Sequence, residues 1–257
     1  MSSAPHLLEV DGLSVLFGGM RALDGVSFIA HAGQVRALIG PNGAGKTTVF
    51  NAVTGYVQPS SGVIRFRGQE IQGMPPHTVS ALGVRRTFQN GGLFGEMTVL
   101  ENVLAGLHAT LEGSFLGLLF GTKAARKTER EAVSRARKLL ANMGIAELQH
   151  KLAKDLPSGQ QRLVEIARAL ATDAPLLLLD EPAVGLAPPT REHLMQVIRR
   201  LAGENGIGIL LIEHSIDMVM SGADVIVVLN YGQRIAEGTP SEIRANREVL
   251  DAYLGHG

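Results

Sequence analysis

The stretch Gly40-Pro41-Asn42-Gly43-Ala44-Gly45-Lys46-Thr47-Thr48 constrains the fold of this chain more than any other feature. It follows the apolar run Val35–Ile39 and precedes a segment read as a helix. Glycines at 40, 43 and 45 permit positive φ and leave no Cβ between the backbone and an approaching anion. A helix opening directly after such a turn aims its free N–H groups and positive dipole end at one point. The spacing G-x-x-x-x-G-K-[ST], in a strand–turn–helix context, is that of a phosphate-binding loop. Lys46 then supplies a compact cation for β- and γ-phosphates, and the Thr47 hydroxyl a ligand for Mg2+. The stretch from Gly40 to Thr48 is expected to surround a nucleoside triphosphate.

The rest of the chain is organised around that loop. β-type runs open the sequence: Leu8, Val10 and Leu13, then 26–29, then 63–66 between Ser60-Ser61-Gly62 and Gly68. From Thr98 to about Ala171 the pattern is mostly helical, and Thr98-Val99-Leu100-Glu101 reads as a capping box. Buried strands return at 176–179, 207–212 and 225–229, separated by helical stretches at 190–205 and 215–221. That alternation predicts a parallel sheet covered on both faces. Thr239-Pro240-Ser241-Glu242 caps a closing helix. The helical middle reads as an insertion into an α/β core.

A second acidic element follows the run 176–179: Asp180-Glu181-Pro182. Doubly wound sheets bind ligands at the carboxyl ends of their strands. There Asp180 would hold Mg2+ through water, and Glu181 would orient and deprotonate an attacking water. His214 follows another apolar strand, in Ile212-Glu213-His214-Ser215. Two roles stay open for it at this point: a donor to the γ-phosphate, or a structural hydrogen bonder at a strand end.

Composition excludes several classes. Lys+Arg and Asp+Glu are 24 each, so no overall field recruits nucleic acid or anionic lipid. The chain has no cysteine, which removes disulfides, thiol catalysis and cysteine-metal sites. Apolar runs such as 115–120 fall well short of the ~18 residues that span a bilayer. The opening MSSAPHLLEVDG lacks a basic flank and an apolar signal core, so a cytosolic chain is expected.

The segment Leu156-Pro157-Ser158-Gly159-Gln160-Gln161, just upstream of the Asp180 strand, resembles the L-S-G-G-Q signature of the ABC ATPases. Phe17, Gln89 in Thr87-Phe88-Gln89-Asn90, Gly185-Leu186 and His214 match the same family in order and spacing, over practically the whole chain. The resemblance implies a P-loop NTPase core, α/β with a mostly parallel sheet and helices on both faces. An N-terminal antiparallel β subdomain and an inserted α-helical subdomain accompany it. The expected division is 6–92 and 160–240 for the core, 93–159 for the insert and 241–257 for a C-terminal helical tail. It also implies roles. Phe17 would stack on adenine, Gln89 would touch Mg2+ and the attacking water, and His214 would join Glu181 in catalysis. Ser158, Gly159 and Gln160 would cover ATP bound on a partner subunit, so that two subunits sandwich two nucleotides head-to-tail.

Two positions depart from the family pattern. Pro157 replaces the usual signature serine, and Ala187 stands where the family usually has an aspartate at the dimer seam. Either Ser158 substitutes for the missing hydroxyl, or this half-site is weaker than its counterpart on a sister ATPase. Gly18-Gly19, Thr87-Phe88-Gln89-Asn90, the extended region 107–130 and the terminal Asp251-Ala252-Tyr253-Leu254-Gly255 resemble one branch, the importer ATPases for branched-chain amino acids. Close relatives of that branch handle urea or amides, a more distant one extracts lipopolysaccharide, and a non-transport ABC ATPase is a further alternative. The branch implies a second ABC ATPase subunit, two transmembrane permease subunits and a periplasmic or extracellular solute-binding protein, with no nucleic acid. It implies a peripheral position on the cytoplasmic face of the inner membrane. The apolar patch 115–120, with the basic Lys123, Arg126, Lys127 and Arg130 after it, reads either as a face toward the membrane or its subunits or as an amphipathic helical hairpin.

Overall fold

A computed structural model of the chain describes residues 6–87, 92–108, 123–171 and 174–254. Gln89, the patch 115–120 and the side chains of Lys123 and Arg126 lie outside the described residues. Strands β1 (Leu8–Phe17), β2 (Met20–Ala30), β4 (Ser61–Phe66) and β5 (Gln69–Glu70) form an antiparallel sheet ordered β2-β1-β4-β5. The second sheet has the order β10-β9-β3-β8-β7-β6. It comprises β3 (Val35–Ile39), β6 (Val84–Thr87), β7 (Leu176–Asp180), β8 (Gly208–Ile212), β9 (Val225–Asn230) and β10 (Gln233–Gly238). Its pairings are parallel except for the closing β9–β10 hairpin.

Strands β3, β7 and β8 are buried at every position, as expected for parallel strands covered on both faces. Side chains alternate between those faces. Leu176 and Leu178 share a core with Leu210, Ile212, α1 (Lys46–Val53) and the antiparallel sheet, through Val49, Phe50, Leu8 and Phe28. Leu177, Leu179, Ile209 and Leu211 share the opposite core with four helices. These are α3 (Val99–His108), α4 (Lys123–Asn142), α5 (Ser158–Leu170) and α6 (Pro188–Asn205), which follow the short α2 (Pro76–Ala81). A third cluster packs Ile39, Ile226 and Val228 against α7 (Ile216–Gly222), α8 (Pro240–Ala245) and α9 (Arg247–Leu254).

The helical middle leaves the sheet after β6 and returns at β7, its parallel neighbour. Thr98 starts α3 with the expected capping box: its Oγ1 accepts from the Glu101 N–H, and Glu101 accepts from the Thr98 N–H at 2.7 Å. Asn102, fully buried one residue on, donates to the carbonyls of Phe94 and Thr98 and accepts from the Phe94 N–H at 2.9 Å. That amide fixes the path of the chain into the insert. Thr239 and Glu242 form the second capping box, at α8.

Candidate active site

The phosphate-type loop lies between β3 and α1, wedged between two other strands. Gly40 has φ 151°, and a Cβ there would sit 2.1 Å from the Leu229 carbonyl oxygen at the end of β9. Gly45 caps α1 at φ 101°, where a Cβ would meet Leu23 at 2.6 Å and the Ala22 carbonyl at 2.8 Å on β2. No side chain fits at either place. Lys46 is buried and folds back over its own loop, donating to the carbonyls of Gly40 at 2.7 Å and Pro41 at 2.9 Å. Burial pushes its ammonium below the ordinary value, while the carboxylates of Glu181 and Asp180 act in the opposite direction. Thr47 is exposed beside it.

The two acids sit at the carboxyl end of β7. Asp180 is buried and accepts from Arg86 Nη2 at 2.6 Å, across to β6. Arg86 Nη1 donates to Asn51 on α1, also at 2.6 Å. Glu181 carries a positive φ of 47°, rare for a residue with a side chain and a form of strain that concentrates at functional sites. Its backbone N–H donates to the Ile212 carbonyl at 2.9 Å, and its Oε1 lies 2.7 Å from His214 Nε2. A carboxylate only accepts, so Nε2 carries the hydrogen. His214 is held in turn by Glu213, a buried carboxylate that accepts from the backbone N–H groups of Ala183 and His214. Burial pushes the Glu213 carboxyl up, and those N–H groups oppose the shift. The structure brings the sequence candidates Lys46, Asp180, Glu181 and His214 into one region, and adds Arg86, Asn51 and Glu213, which no motif marks. An arginine inside a strand and an acid next to a histidine carry no motif of their own.

Phe17 is exposed at the turn between β1 and β2. Ser158, Gly159 and Gln160 open α5, and among the described residues no hydrogen bond joins them to the loop at 40–48. They meet α6 instead: a Cβ on Gly159 would lie 2.4 Å from Thr190 Cγ2. Both departures from the family pattern fall at equivalent places. Pro157 and Ala187 are the N-cap residues of α5 and α6, each with extended backbone and no side-chain cap. Their carbonyls accept from Gln160 and Gln161, and from Thr190 and Arg191, so both helices start on backbone alone.

A sequence model of the family described as ABC transporter matches residues 23–184. The chain belongs to the ABC transporter family. As an ABC cassette it is a transporter ATPase, built on the P-loop NTPase fold. A second family model, described as branched-chain amino acid ATP-binding cassette transporter, matches residues 233–257. The cassette is 49% identical over 249 residues to the high-affinity branched-chain amino acid transport ATP-binding protein BraF of Pseudomonas aeruginosa, covering 97% of this chain and 98% of BraF. It is 44% identical over 250 residues to LivG of Escherichia coli, a protein of the same description, with 97% and 98% covered. Among solved structures, the ADP conformation of MJ1267, an ATP-binding cassette of an ABC transporter, superposes with a TM-score of 0.83 at 35% identity, covering 98% of this chain and all of that one. Among the described residues, no helix of the cassette is long and apolar enough to cross a membrane.

Proposed function

We propose that this cassette drives an importer of branched-chain amino acids, working as the ATP-hydrolysing subunit at the cytoplasmic face of the inner membrane. Near-complete coverage of BraF and LivG carries the substrate class, because the similarity extends through the C-terminal segment 233–257. A second cassette, two permease subunits and a solute-binding protein complete the proposed assembly. Phe17 takes the adenine by stacking, and Gly40, Pro41, Asn42, Gly43, Ala44, Gly45, Lys46, Thr47 and Thr48 take the phosphates. Ser158, Gly159 and Gln160 close over the nucleotide held by the opposite subunit.

The donor set also fits a hard divalent cation. Thr47 is exposed and Asp180 ends β7 with a carboxylate, and both are hard oxygen donors of the kind such a cation takes. Thr47, Asp180 and Gln89 would hold Mg2+, which would offset the negative charge that gathers on the phosphates as the reaction proceeds. The protein's part in the reaction falls to Glu181 and His214. Glu181 accepts a proton from the attacking water while the water oxygen bonds to the γ-phosphorus and the β–γ bridging oxygen leaves with ADP. His214 fixes the Glu181 carboxylate through the 2.7 Å contact.

The test is transport itself. Proteoliposomes carrying the cassette pair, its permeases and the binding protein should accumulate labelled leucine when ATP is inside. Uptake of urea or an amide in its place, with none of leucine, would move the assignment to the related importers.

A further inference from the structure

Arg86 is the strongest feature of the site that the proposed chemistry does not use. Its side chain and that of Asp180 are 8% and 6% exposed, so the ion pair is almost wholly buried. The guanidinium is fixed from three sides: Asp180 Oδ2 at 2.6 Å, Asn51 Oδ1 at 2.6 Å, and the Phe50 ring, with Cζ 5.5 Å from its centroid. These partners come from β7 and α1, the two elements that carry the acids and the phosphate loop. Arg86 itself is on β6, three residues before Gln89.

Beside the loop the carboxylates of Glu181 and Asp180 act on Lys46, and Arg86 pairs directly with Asp180. An almost buried carboxylate whose Oδ2 already faces a guanidinium has reduced attraction for a bare divalent ion. The added negative charge of a triphosphate raises that attraction again. We propose that Arg86 is a positioning residue that occupies one oxygen of Asp180 and so prevents the site from binding Mg2+ without nucleotide. The metal then enters only together with ATP, and the empty cassette stays free of it. This inference rests on the reading of Asp180 as a metal-holding carboxylate.

The experiment titrates Mn2+, as a spectroscopic substitute for Mg2+, into the purified full-length chain and follows free Mn2+ by electron paramagnetic resonance. Without nucleotide, the parent and Arg86→Lys should bind weakly or not at all. Arg86→Gln keeps a hydrogen-bonding side chain but removes the charge, and should bind at least tenfold more tightly. The double variant Arg86→Gln/Asp180→Asn should lose that gain. A merely structural tie between β6 and β7 would not create cation binding. Equal affinity in the parent and Arg86→Gln overturns the proposal, as does a gain that survives in the double variant. Should Arg86→Gln misfold, Asn51→Ala, which frees one side of the same guanidinium, takes its place: a gain in Mn2+ affinity over the parent supports the proposal, and equal affinity overturns it. The underlying reading has its own control. If Asp180→Asn binds Mn2+ as well as the parent in the presence of a non-hydrolysable ATP analogue, Asp180 is not a metal ligand, whatever Arg86 does.

Discussion

His214 Nε2 sits 2.7 Å from Glu181 Oε1, and the glutamate it holds has the left-handed backbone φ of 47°. The strand end and the histidine together aim one carboxylate at a single orientation. That arrangement makes Glu181 the group whose loss should separate binding from turnover. Glu181→Gln should bind a fluorescent ATP analogue with unchanged affinity while steady-state hydrolysis falls by roughly 100- to 10,000-fold. His214→Ala should also lower kcat, by less, with ADP affinity unaltered. Loss of nucleotide binding in either variant would contradict these roles.

The N-caps of α5 and α6 give a stability prediction. Ala187 has φ −66° and ψ 152°, suitable for a capping side chain that alanine does not provide. Ala187→Asp should therefore stabilise the folded chain by about 0.5–2 kcal/mol in urea denaturation, with the m-value unchanged. Pro157→Ser should act in the same direction at α5, where the backbone is equally extended. If both gains appear with no rise in hydrolysis, the departures concern helix initiation and not a weakened half-site.

Much of this architecture was legible in the sequence. Uninterrupted apolar runs gave β3, β7 and β8 almost to the residue, and both capping boxes formed where their residues stood. Strand β6 was not legible, because Val84-Arg85-Arg86-Thr87 puts two arginines where a buried parallel strand normally has aliphatics. The Arg86 charge is tolerated because it meets Asp180 and Asn51, neighbours that only the fold brings together. Strand β10, Gln233–Gly238, is no more legible: it forms the edge opposite β6, is mostly polar, and carries no apolar run. In the site, the loop and the acids were legible because a motif fixes their spacing. Glu213 was named only as a neighbour of His214, and its duty as the anchor of that histidine depends on a loop 30 residues away.

Tyr253 on α9 offers a pH test of how the C-terminal helices dock. Burial pushes its phenol up to about 12, against a smaller opposing effect of the Gly40 N–H. The folded value lies above the ordinary 10.0, so the folded chain keeps a proton that the unfolded chain loses. The associated stability is present below pH 10 and declines as pH rises toward 12. Tyr253→Phe should remove that decline. In an ultraviolet titration, the difference between parent and variant should be one phenolate with a midpoint near 12. A midpoint near 10 would mean that α9 does not bury the ring.

The contact of Gly159 with Thr190 yields the sharpest mutational test. The signature glycine carries no positive φ among the described glycines that do, so conformation does not demand it; space does. A Cβ there would lie 2.4 Å from Thr190 Cγ2 and 3.6 Å from Leu186 Cδ2, so the Thr190 side chain or the helices that carry the two residues would have to shift. Gly159→Ala should destabilise the chain by about 1–3 kcal/mol, the usual cost of overpacking. Thr190→Ser removes the methyl that clashes and keeps the hydroxyl. The double variant should recover most of the loss, giving a coupling energy well beyond the few tenths of a kcal/mol expected of independent sites. Because Gly159 belongs to the segment proposed to cover the partner's nucleotide, restored stability without restored hydrolysis would show that the glycine also serves close approach to phosphate. Full recovery of both would confine its role to the packing of two helices.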